Sequence, residues 1–166
     1  GHRARRTGDG GAVTARTIAG LPPGAFTVLV GQDDEALFDA LCCCRADGMV
    51  IITSATKGIG ASDLAARLRA AGGTAVGLTD LFDSLHPTRI PAGMASLRAA
   101  GVPVVATTHN VYVLDCCDPG EVLVLHDGQA ARLSEHPEAE RMKGALSAGQ
   151  LWTLDDESTW VPAAVE

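Results

Sequence analysis

Four short apolar runs, at residues 26–30, 49–53, 74–79 and 102–107, are separated by stretches long enough for a helix. No other feature of the chain limits the fold as much. Strand-length runs alternating with helical patterns bring parallel strands joined by crossover helices. After the first run, Asp33-Asp34-Glu35 places acids at a helix start, and the helical pattern continues to Leu41. Residues 61–71 read as a second helix, closed by Gly72-Gly73. Residues 88–100 read as a third, with Ile90, Met94 and Leu97 at helical spacing and Pro91 in the first turn. Beyond a short segment at 111–114, residues 121–125 form a strand. Asp127-Gly128 then turns the chain into residues 129–133, making a hairpin at the sheet edge. A helix is expected over 137–146, starting at Pro137, followed by a segment carrying Trp152 and Trp160.

The expected fold class is therefore α/β. It has three layers, with a mainly parallel sheet of four to five strands, helices on both faces and a C-terminal β-hairpin. A length of 166 residues fits one domain. A composition 46% hydrophobic but only 4% aromatic suits strands covered on both faces. We assign residues 25–155 to a single domain, between a flexible N-terminal arm at 1–24 and a tail at 156–166.

A net charge of −7 disfavours a broad grip on nucleic acid, which depends on clustered Lys and Arg. Any nucleic-acid contact is expected to be indirect, and the arginines at 3, 5, 6 and 16 read as part of a solvated arm. The five cysteines, Cys42-Cys43-Cys44 and Cys116-Cys117, have no C-x-x-C spacing and are expected to be reduced thiols. No apolar stretch approaches the roughly 18 residues that span a bilayer, and no signal-peptide pattern opens the chain. A cytoplasmic protein without membrane contact is the expectation. An opening Gly1-His2 in place of methionine suggests a processed or excised chain.

The stretch "TSATKGIGAS" at 53–62 places glycines between a strand and a helix, where backbone N–H groups can approach phosphate. It resembles the short-chain dehydrogenase fingerprint, with Thr53, Gly58 and Gly60 in place and Ser54 where the first glycine belongs. That resemblance puts Asp80 beside the adenosine ribose of a nicotinamide cofactor. The family's Tyr-x-x-x-Lys pair is not matched: the single tyrosine, Tyr112, is followed four residues later by Cys116. Residues 26–83 also resemble the layout of a toprim domain, a Mg²⁺-dependent nuclease or topoisomerase module. Here Gly31-Gln32 replaces the glutamate after its first strand, and Asp80 and Asp83 replace its Asp-x-Asp.

The stretch from Asp80 to Gly128 carries a longer resemblance. Leu85-His86-Pro87, Ala106-Thr107-Thr108-His109, Val113-Leu114-Asp115, Asp118-Pro119 and Val122-Leu123-Val124-Leu125 occur in the order and spacing of one family. Together they resemble the C-terminal, Walker B and switch-histidine half of ABC-type ATPases of the chromosome-maintenance, DNA-repair and anti-phage class. The resemblance implies that Asp80 holds Mg²⁺ through water, that Asp83 orients the attacking water, and that His109 contacts the γ-phosphate. It also implies that Thr108, Ser62 and Asp63 touch the nucleotide, the last two as a remnant of the signature turn. A Walker A loop, G-x-x-x-x-G-K-[ST], does not occur: neither Lys57 nor Lys143 fits it. The implied role is that of a degenerate or partial ATPase-like module. It would use ATP and Mg²⁺ only with a partner, either a second copy or an ATPase subunit, with hydrolysis not expected alone. The dehydrogenase and nuclease readings remain the alternatives.

Overall fold

The computed structural model describes residues 26–43, 50–52, 66–68, 70, 76–127, 129–154, 157 and 160–161. The arm at 1–24, the glycine turn at 53–60, Ser62 and Asp63 lie outside the described residues. The described chain forms an α/β fold around a six-stranded sheet. Its strands are β1 (Phe26–Val30), β2 (Val50–Ile52), β3 (Val76–Leu78), β4 (Val104–Thr107), β5 (Val122–His126) and β6 (Gln129–Arg132). The spatial order is β2-β3-β4-β1-β5-β6. Five strands run parallel, and β6 returns antiparallel beside β5 as the second arm of the hairpin.

Alternation along the strands sorts the core into two layers. Phe26, Val28 and Val30 of β1, Val104 and Ala106 of β4, and Val122 and Val124 of β5 share one cluster. Their neighbours Leu29, Val105 and Leu123 point to the other face. Helix α1 (Asp34–Cys43) covers that second face with Leu37 and Leu41. The first face is covered by α2 (Ile90–Ala99) through Ile90, Met94 and Leu97, and by α3 (Val111–Leu114) through Val113 and Leu114. Spacings of three and four residues put these apolar side chains on one side of each helix. Residues 66–68 and 70 are helical, and Leu68 joins the same cluster.

The helix expected over 137–146 is not formed. These residues make successive turns, with Ala139 N–H on His136 O, Met142 N–H on Glu138 O and Ala145 N–H on Met142 O. Gly144 then takes a φ of +84, which a helix does not continue through. The helix lies later, at α4 (Ala148–Leu154). Ser147 and Gln150 start it reciprocally: Gln150 N–H donates to Ser147 Oγ at 3.2 Å, and Ser147 N–H donates to Gln150 Oε1 at 2.9 Å. Asp115, just after α3, accepts from Gly149 N–H and Ser147 Oγ, joining the two short helices. Trp152 and Trp160 pack against the first core layer.

Cys42, Cys116 and Cys117 are free thiols, and burial pushes Cys117 up to about 12. No helix among the described residues is long and apolar enough to cross a membrane.

Candidate functional site

The chain leaving β1 enters α1 on one face of the sheet, whereas the chain leaving the adjacent β4 enters α3 on the other. Neighbouring parallel strands whose following helices diverge in this way open a crevice at their carboxyl ends, where α/β proteins place ligands. The candidate site is built around that crevice, extended to the end of β3 on the far side of β4.

Beyond β3 the backbone turns sharply. Asp80 and Phe82 both have φ of 55, a left-handed conformation that is uncommon for aspartate and costly for a bulky aromatic residue. Burial of Leu81 and Phe82, at 0% and 1% exposure, holds the turn in place. Hydrogen bonds to the end of β4 fix it further. Leu81 N–H donates to Thr107 O at 2.8 Å, and Asp80 N–H donates to Thr107 Oγ1 at 3.1 Å. Asn110 Nδ2 donates to Phe82 O at 3.1 Å, while its Oδ1 caps α3 by accepting Tyr112 N–H.

Asp83 and the segment 108–109 are joined at one carboxylate oxygen. Asp83 Oδ1 lies 2.6 Å from the Thr108 hydroxyl and accepts His109 N–H at 3.2 Å. The Thr108 hydroxyl also lies 2.9 Å from Leu81 O and accepts Asn110 N–H at 3.1 Å. Thr108 is fully buried, so it braces the two turns from beneath. Burial raises the Asp83 carboxyl above its ordinary range. The hydrogen bonds from Thr108 and from the His109 backbone oppose that rise, Asp80 adds to it and the His109 charge opposes it.

The His109 imidazole crosses the crevice. Its Nε2 is hydrogen-bonded to Asp34 Oδ1 in the first turn of α1, 75 positions away in sequence. Asp33, one residue earlier, caps the helix: its Oδ1 accepts from Glu35 N–H at 3.0 Å and Ala36 N–H at 3.2 Å. Two openings flank the Asp34–His109 pair. One, of about 260 Å³, is lined by Asp34, Leu37, Phe38, Thr79, Asp80 and Thr107. The other, of about 310 Å³, is lined by Asp83, His109, Asn110 and Val111.

Asp80, Asp83, Thr108 and His109 thus meet at one edge of the sheet. Asp34 and Asp33 were missed in the sequence, where they read as ordinary acids of a helix start. A signal that could have found them is their position directly after the first strand, where an α/β fold presents its ligand loop. The residues between β1 and α1 do not fit an ATP phosphate cradle. Asp33 occupies two of the N–H groups that an anion would need, and Asp34 and Glu35 add negative charge to the same turn. Among the described residues no group of three or more His, Cys, Asp or Glu is placed to hold a metal ion.

Comparison with protein-family models, with curated proteins and with solved structures gave no match to the chain.

Proposed function

We propose that the chain is a degenerate or partial ABC-type ATPase-like module that acts in nucleotide-dependent assembly with a partner and does not hydrolyse nucleotide alone. The observation that carries this reading is the junction of adjacent strands β3 and β4. There Asp83 and His109 are hydrogen-bonded at one carboxyl-end rim, with Asp80 leaving the neighbouring strand. A carboxylate and an imidazole held on one rim suit contact with a phosphate and its metal presented from outside. The acid-capped start of α1 supports the other half of the reading. With Asp33 on the helix N–H groups, the chain has no phosphate cradle of its own there.

A second copy of this chain is the simplest partner to test. Sedimentation velocity with and without ATP and Mg²⁺ should show a larger species only with nucleotide, and His109→Ala should remove it. A sedimentation coefficient indifferent to ATP, in both the native chain and His109→Ala, would sink the reading.

A further inference from the structure

We propose that the Asp34–His109 pair is an autoinhibitory latch on the candidate site. In the resting chain Asp34 would hold the imidazole that an incoming anionic group must otherwise engage. The inference rests on the functional reading above and adds regulation of the same site.

The main chain around His109 has little freedom. Its N–H is held by Asp83, and its neighbours Thr108 and Asn110 are tied to the turn after β3. What can move is the imidazole, and it points across the crevice to Asp34. Asp34 does not serve as the helix cap, because the adjacent Asp33 does. Its carboxylate is therefore released from capping and presented to the crevice by a firmly started helix. The pair links the segment leaving β4 to the first turn of α1, so it spans the crevice that opens where the helices following β1 and β4 diverge.

Exposure makes the contact reversible. The His109 and Asp34 side chains are 41% and 81% accessible, and ion pairs so exposed are weak and screened by salt. Such a latch biases the closed arrangement yet yields to a competing anion. An arriving phosphate would replace one carboxylate as the acceptor of the imidazole N–H, with no bond made or broken.

The test uses the full chain and inorganic pyrophosphate as the probe, with affinity read by titration calorimetry. Asp34→Ala should bind pyrophosphate about fivefold more tightly than the native chain, the ratio expected when a surface pair is removed. Adding His109→Ala to Asp34→Ala should abolish the gain. Glu35→Ala is the control. It removes the same charge from the same helical turn without touching the His109 contact, and it should give a clearly smaller gain. The ¹⁵N signal of His109 Nε2 should move in Asp34→Ala and stay in Glu35→Ala. Equal affinities for Asp34→Ala and the native chain, no binding by either, or an equal gain in Glu35→Ala would overturn the latch. A latch that passes alongside sedimentation indifferent to ATP would leave the latch standing and remove the assembly reading.

Discussion

Arg98 and Glu121 form a two-pronged ion pair between α2 and the turn before β5, with Nη1 to Oε2 at 2.9 Å and Nη2 to Oε1 at 2.8 Å. The same guanidinium donates to Cys116 O at 3.0 Å and lies 4.9 Å from the centre of the Phe26 ring. One side chain thus ties together α2, the end of α3, β1 and the approach to β5. Truncating it as Arg98→Ala strips Glu121 of its partner and uncovers Phe26. We expect a loss of about 1–3 kcal/mol in chemical denaturation. An unchanged midpoint would mean that the pair does not hold these elements together.

Glu121 also gives that pair a pH signature. Burial alone would raise its carboxyl, but hydrogen bonds from Arg98 and from the Asp118 N–H, with the Arg98 charge, outweigh burial and lower it. A lowered folded-state value means stability is fully present above the ordinary carboxylate value of 4.5 and is lost as pH falls through the lower folded value. Glu121→Gln should therefore be less stable than the native chain at pH 7, with the gap closing in strong acid. Denaturation midpoints between pH 2 and 7 would show it, and a gap constant across that range would count against it.

Asp83 has the opposite sign. Its carboxyl is raised by burial, so its contribution is fully present below the ordinary value of 3.8 and is lost as pH rises through the raised value. Asp83→Asn keeps an oxygen to accept from Thr108 and His109 N–H while removing the charge. The variant should gain stability relative to the native chain as pH rises from about 4 to 7. A relative loss over that interval would show that the ionised carboxylate stabilises the rim.

Gly149 lies in α4, where alanine would ordinarily favour the helix by about 1 kcal/mol. A Cβ there would stand 2.6 Å from Val111 O and collide with Asp115 Oδ1. Gly149→Ala should therefore cost about 1–3 kcal/mol through forced separation of α3 and α4. Thermal unfolding gives the sign directly, and a raised melting temperature would contradict the close approach.

Asp80 holds a φ of 55 that glycine adopts without strain. Asp80→Gly should leave stability unchanged or raise it by up to about 1 kcal/mol, and it should weaken ATP-dependent self-association. Retained association would show that the carboxylate has no part in it.

Much of the architecture was legible because period-two and period-3.6 patterns report burial locally. Runs such as residues 26–30 and 102–107 announce strands, and Ile90, Met94 and Leu97 announce a helix face. The region 137–154 was misread for a local reason too. Pro137 resembles a helix start, whereas the reciprocal caps of Ser147 and Gln150 come ten residues later and just after Gly144 has broken the path. In the candidate site, Asp80, Asp83 and His109 were picked out by the resemblance of residues 80–128 to the ATPase half, which gave them roles that no local pattern supplies. Asp34 did not, because its partner lies 75 positions away.

The order of hydrophobic and polar residues along the chain determined its class, its alternation of strand and helix, and the hairpin at its end, since each depends on neighbours a few residues apart. Tertiary structure decided that β1 lies between β4 and β5, that Asp83 reaches the His109 N–H, and that Asp34 meets the imidazole. These outcomes depend on which strands pair and which face each helix covers. They are set by the joint burial of distant apolar surfaces, for which no short stretch of sequence carries the information.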